Sequence, residues 1–127
     1  VNVGHRDLFL TPAEAGETFE AVFPAWDVAA DVGRVAAEVR AMAVAAKRVW
    51  IDVDCDAFDP SALPAVPEPV PFGLLPPAFL SLFEAAWAGR VAGLSVSEFD
   101  PGRDERDRGL NLLGWLVEYV LLKAATR

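Results

Sequence analysis

The chain has 127 residues, 54% of them hydrophobic, with a formal net charge of −8 and a sequence pI near 4.5. That size and apolar content suit one globular unit with a true core, and the acidic balance excludes recognition of a phosphate backbone, which calls for clustered Lys and Arg. No apolar run approaches the roughly 18 to 20 residues needed to cross a bilayer, no signal segment opens the chain, and a lone Cys55 allows neither an internal disulfide nor a thiolate zinc cluster, which makes a reducing cytoplasm the default compartment.

Val1-Asn2-Val3-Gly4 reads as the end of a strand entering a loop, and a chain that opens on a buried strand suggests a piece cut from something longer. Thr11 followed by Pro12 marks a helix start, with threonine as N-cap and proline in the first turn. Residues 18–23 alternate well enough for a strand ending at Pro24. From Val28 the apolar positions Val28, Val32, Val35, Val39, Met42 and Ala46 recur at steps of four and three, which predicts one helix with Asp31, Arg34, Glu38 and Arg40 on its other face.

Residues 48–53 form a nearly continuous apolar run, as a parallel strand buried on both faces would, and the run ends in acid. Seven prolines within residues 60–77 rule out regular helix or a central strand, leaving an ordered loop. Residues 78–88 are predicted helical, residues 91–96 a second apolar strand, and residues 110–124 a final apolar helix. Strands separated by helices imply right-handed crossovers and a parallel sheet. Ligands in such sheets bind beyond the carboxyl ends of the strands, where residues 52–59 and 98–104 place two acidic clusters.

The sharpest chemical signal is Asp52-Val53-Asp54-Cys55-Asp56, followed by Asp59-Pro60. In extended chain, residues two apart face the same side, which would set Asp52, Asp54 and Asp56 in one row. Like charges so spaced repel unless a cation neutralises them, and hard oxygen ligands favour Mg, Ca or Mn. A calcium EF-hand would need Gly at Ala57, Glu at Leu63 and a preceding helix. A haloacid-dehalogenase phosphatase would follow its Asp-x-Asp with a Gly-Thr pair that is missing here. Solvated acids that merely close a strand are the plain alternative.

Two ordered motifs resemble the ureohydrolase family of arginases, agmatinases and formimidoylglutamases. Asp54-Cys55-Asp56-Ala57-Phe58-Asp59-Pro60, with Pro64, Pro67, Pro71 and Gly73 after it, is similar to the family's Ser-x-Asp-x-Asp-x-x-Asp-Pro strand end and proline-containing loop. Glu98-Phe99-Asp100-Pro101-Gly102-Arg103-Asp104 matches its Glu-x-x-Pro-x-x-Asp, and Gly4-His5-Arg6-Asp7 resembles its Gly-x-Arg turn, so the likeness runs from end to end.

The resemblance implies an α/β fold, a three-layer αβα arrangement around a parallel sheet with its N-terminal part missing, in which residues 1–127 form the C-terminal part of one domain. It implies that Asp54 and Asp56 are ligands of a binuclear manganese site, that Glu98 accepts a guanidino or formimino substrate, and that Asp7 holds the substrate's polar tail. The implied reaction is hydrolysis of an amidine or guanidino C–N bond, by an enzyme that forms a homo-oligomer when complete.

The family's remaining ligands, a His and an Asp-x-His-x-Asp cluster, come from strands upstream of the matched region, so this chain by itself is expected to be inactive and to expose an unpaired sheet edge. Asp52 replaces the family's usual Ser, and its Gly-Gly after the loop is reduced to Phe72-Gly73. His5 is expected in a surface or packing role, Cys55 as an inert buried thiol, and Trp87 and Trp115 in the core. A non-catalytic domain that keeps the fold for binding or assembly is the rival reading.

Overall fold

The computed structural model describes residues 1–7 and 9–126. Four strands and five helices alternate: β1 (Asn2–His5), α1 (Pro12–Ala15), β2 (Val22–Pro24), α2 (Ala25–Ala30), α3 (Val32–Ala45), β3 (Val49–Asp54), α4 (Pro76–Trp87), β4 (Val91–Ser97) and α5 (Arg108–Ala125). All pairing between these strands is parallel, as the βα order requires. The strands form two pairs, β1 with β2 and β3 with β4, and among the described residues no ladder joins β1 to β3.

Local chemistry sets most boundaries. Thr11 caps α1 in a reciprocal box with Glu14, whose backbone N–H donates to the Thr11 hydroxyl while its carboxylate accepts from the Thr11 N–H. The single helix expected from Val28 is instead two. Asp31 adopts an extended conformation (φ −156°, ψ 84°) and its carboxylate accepts from the Arg34 N–H at 2.9 Å, starting α3 afresh. A side-chain cap thus outcompetes helix continuation, although Val28, Val35 and Val39 still share one buried cluster. The strand expected over residues 18–23 shrinks to Val22–Pro24. Pro76 and Pro77 belong to the first turn of α4, where the missing N–H costs nothing.

One core cluster lies between the β3–β4 pair and helices α4 and α5, joining Val53, Cys55, Phe83, Trp87, Leu113 and Leu116. The proline-rich loop also enters it: Leu63, Ala65 and Val66 are buried to 1% exposure or less. Burying a Leu or Val side chain contributes roughly 1.5–3 kcal/mol, so the loop is part of the core and not a surface strap. Its ends are closed by a bridge between Phe58 and Leu74, with the Asp59 N–H donating to the Leu74 carbonyl at 2.9 Å and the Leu74 N–H to the Ala57 carbonyl at 2.8 Å. Gly73 fits only because it lacks a side chain, since a Cβ there would lie 2.5 Å from the Asp59 nitrogen. Trp87 is buried as expected. Trp115 is not: it is half exposed on α5 and stacks on Tyr119, one helical turn away, at 5.0 Å between ring centroids. No helix among the described residues is long and apolar enough to cross a membrane.

Candidate metal and substrate site

Parallel pairing of β3 with β4 decides where the acidic clusters meet. The register runs Ile51↔Leu94, Asp52↔Ser95, Val53↔Val96 and Asp54↔Ser97, so Asp54 and Glu98 leave the same end of adjacent strands. Asp56 follows in a single 3-10 turn, Cys55–Ala57, whose first N–H groups are capped by Asp54: its Oδ1 accepts from the Asp56 N–H at 3.3 Å. That turn breaks the expected row. Asp52 and Asp54 share a face of β3, but Asp56 arrives by the turn and not by extended spacing.

Asp52 has other business. Its carboxylate accepts a hydrogen bond from the Ser95 hydroxyl, and Ser95 Oγ in turn accepts from Trp50 Nε1 at 3.0 Å. This chain runs across the exposed face of the β3–β4 pair, with the Trp50 ring lying over Gly93, where a Cβ would come 2.3 Å from Cζ3. The extra charge relative to the family's Ser is thereby held by β4.

The electrostatics of the strand end are those of a site short of positive charge. Burial raises the Asp56 carboxyl above its ordinary value, Asp54 and Glu98 raise it further, and the Arg6 guanidinium opposes them. The neighbouring Cys55 thiol is pushed up to about 11 by burial first, then by Asp54, Asp56 and Glu98. Glu98 therefore acts on the same two groups as Asp54. Glu98 also sits in left-handed backbone, φ +60°, which costs a residue with a Cβ about 1–2 kcal/mol. Such conformations cluster where a side chain must be aimed for function.

Arg6 is the residue that sequence reasoning passed over. From the end of β1 its Nη2 donates to the Asp56 carbonyl and its Nε to the Val70 carbonyl at 3.3 Å, clasping the carboxyl ends of β1 and β3 and the proline-rich loop together. The only signal for it was its place in the Gly-x-Arg turn. Asp7, beside it, is exposed, and its Oδ1 accepts from the Phe9 N–H at 2.7 Å. His5 is buried, with Nε2 2.6 Å from the Leu10 carbonyl, which is a packing role and not a surface one. Cys55 is fully buried, and its thiol joins the core cluster.

Beyond Glu98, the acids of the second cluster are structural. Asp104 accepts from the Gly109 and Leu110 N–H groups, both at 2.8 Å, and so closes the open amino end of α5. Asp100 accepts from the Gly102 N–H and from Arg103 Nε, while its own N–H donates to Ala65 in the loop.

The donor set suits a hard divalent cation in kind, being carboxylate oxygens already in mutual repulsion. In number it falls short, since among the described residues no three His, Cys, Asp or Glu are grouped to hold a metal ion. An EF-hand is excluded because a strand, not a helix, leads into Asp52.

Comparison with known proteins places this geometry. The family model described as the arginase family matches residues 1–122. An N(omega)-hydroxy-L-arginine amidinohydrolase from Streptomyces lavendulae is 36% identical over 75 residues, 58% of this chain and 27% of that protein. The agmatine ureohydrolase of Thermoplasma volcanium superimposes with a TM-score of 0.74 and 27% identity over 91% of this chain and 39% of its own. The proclavaminate amidino hydrolase from Streptomyces clavuligerus does so with a TM-score of 0.74 and 27% identity over 87% of this chain and 36% of its own. The chain thus spans well under half the length of these relatives. A match from the first strand into the last helix, with the same fold, leaves one assignment: the chain belongs to the arginase family.

Proposed function

We propose that this chain carries the C-terminal portion of the active site of a manganese hydrolase acting on a linear guanidino or amidine C–N bond. The observation that carries the reading is the register of β3 and β4, which brings Asp54, Asp56 and Glu98 to one strand end. Asp54 and Asp56 would hold the metal, as oxygen donors whose repulsion a cation relieves. When bound, a pair of divalent ions supplies Lewis acidity and lowers the pKa of water. Glu98, aimed by its left-handed backbone, would meet the cationic fork of the substrate with a carboxylate, the natural complement to a guanidinium. Arg6 opposes the charge on Asp56 and fixes its backbone. Asp7 stands at the end of β1, where it could meet the tail of a substrate, although its carboxylate is engaged by the Phe9 N–H.

The relatives carry the names of an N(omega)-hydroxy-L-arginine amidinohydrolase, an agmatine ureohydrolase and a proclavaminate amidino hydrolase, and the guanidino or amidine group proposed here as substrate is what those names have in common. Metal ligands beyond Asp54 and Asp56 must come from elsewhere in a complete enzyme, which we propose is a cytoplasmic homo-oligomer. The chain alone is expected to be inactive, because a partial ligand set leaves a cation largely to water. Assaying urea and free amine release from arginine and agmatine with added manganese tests this: no turnover is expected, and turnover at enzyme-like rates would refute it. A non-catalytic domain of the same fold is favoured by the shortage of grouped donors among the described residues. It predicts that manganese does not bind at Asp54 and Asp56.

A further inference from the structure

We infer that Phe9 and Phe72 form an apolar rim at the mouth of the site, which selects guanidino compounds with an uncharged alkyl or aryl tail over those whose tail carries a carboxylate. The inference rests on the reading of Glu98 given above and names the substrate class of that same site. Phe9 and Phe72 are 98% and 86% exposed, the most exposed large apolar side chains among the described residues. Each lies in a loop that leaves the carboxyl end of a strand, Phe9 after β1 and Phe72 after β3, the side of a parallel sheet on which ligands bind.

Arg6 ties the two loops together at the site, donating to the Asp56 carbonyl and to the Val70 carbonyl, while the Leu74 N–H donates to the Ala57 carbonyl. Phe72 lies between these two anchors of the segment, beside the turn that carries Asp56. Its backbone is left-handed, φ +63°, a conformation that residues with a Cβ avoid and that clusters at ligand clamps when they adopt it. On the other loop, the Phe9 N–H donates to Asp7 Oδ1 at 2.7 Å, and His5 Nε2 lies 2.6 Å from the Leu10 carbonyl, fixing the turn that presents Phe9. Rings held on fixed backbone offer apolar area at little cost in ordering.

Charge sets the tail. Residues 7–18 and 60–75 contain no Lys, Arg or His, so the charges these loops carry are all acidic. Arg6 and His5, just before the first of them, are engaged with backbone carbonyls. A carboxylate tail would therefore meet like charge and find no free cation on either loop. What the loops expose instead is apolar, from Phe9, Leu10, Val70 and Phe72.

The test titrates the 127-residue chain, without added metal, with methylguanidine, 2-phenylethylguanidine and 4-guanidinobutyrate, and reads binding by proton NMR. The phenylethyl compound is expected to bind about tenfold more tightly than methylguanidine, as burial of part of a phenyl ring provides, and guanidinobutyrate no more tightly. Phe9→Ser and Phe72→Gly should each reduce that preference while methylguanidine binding and the circular dichroism spectrum stay unchanged; the second also removes a Cβ from left-handed backbone, so the fold is not at risk. Glu98→Gln, which should weaken all three compounds alike, tests the underlying reading separately. Methylguanidine binding that depends on Glu98, with no preference for the phenylethyl tail or a preference that survives both Phe substitutions, would overturn the rim alone. Binding of guanidinobutyrate as tight as that of the phenylethyl compound would also overturn it, and no binding of any of the three would overturn the rim and the reading of Glu98 together.

Discussion

Arg6 Nη2 donates to the carbonyl oxygen of Asp56, fifty residues further along the chain, and this bond is where the two strand pairs meet at the site. Charged donors to buried carbonyls contribute more than neutral ones, so Arg6→Met is expected to destabilise the chain by about 1–2 kcal/mol. Denaturant unfolding measures it. If the clasp also sets the site, manganese affinity falls in the same variant, whereas Arg6→Lys keeps the charge but not the two-point contact.

Cys55 offers a pH test. Its folded-state value of about 11 lies above the ordinary 9.0, so the buried neutral thiol favours the folded state fully below pH 9, and that contribution is lost as pH rises through 11. Cys55→Ala should flatten the loss of stability across that interval relative to the parent. In the native chain at pH 8 the thiol should react with a disulfide reagent far more slowly than in guanidinium; equal rates would contradict its burial.

Gly73 predicts a steric penalty. Its virtual Cβ meets backbone atoms of Phe58 and Asp59, which cannot rotate aside. Gly73→Ala is expected to cost about 1–3 kcal/mol by overpacking and to loosen the residue 58–74 closure. Thermal unfolding reads the first effect and limited proteolysis of the proline-rich loop the second.

Asp104 separates structure from chemistry within the second acidic motif. Because its two oxygens accept from the Gly109 and Leu110 N–H groups, Asp104→Ala should destabilise α5 by about 1–2 kcal/mol, with manganese affinity unchanged. Glu98→Gln should show the reverse pattern in stability, with little cost, because its side chain is exposed and its left-handed backbone is retained.

Much of this was legible in the residues. The alternation of apolar runs and helical periods at 48–53 and 91–96 foretells parallel strands, and parallel strands oblige Asp54 and Glu98 to share an end. What sequence could not show depends on contacts distant along the chain or on competition between local bonds. The break at Asp31 is a contest between a cap and a continuing helix. The turn that redirects Asp56 follows Asp54's bond to its N–H, which an extended-strand reading overlooks. Trp115 lies in an apolar helix, and nothing in helical periodicity tells which apolar face finds a partner; here Leu113 and Leu116 do, and Trp115 stays half exposed. Arg6 needed the fold, since its partners lie in the turn after β3 and in the loop.

The central claim is that Asp54 and Asp56 form one cation-seeking end of the β3–β4 pair. Titrating the 127-residue chain with manganese and following the free-ion signal by electron paramagnetic resonance tests it most directly. Weak but saturable binding is predicted, lost in both Asp54→Asn and Asp56→Asn and retained in Asp104→Ala. Binding that ignores the first two substitutions, or no saturable binding at all, would contradict the account.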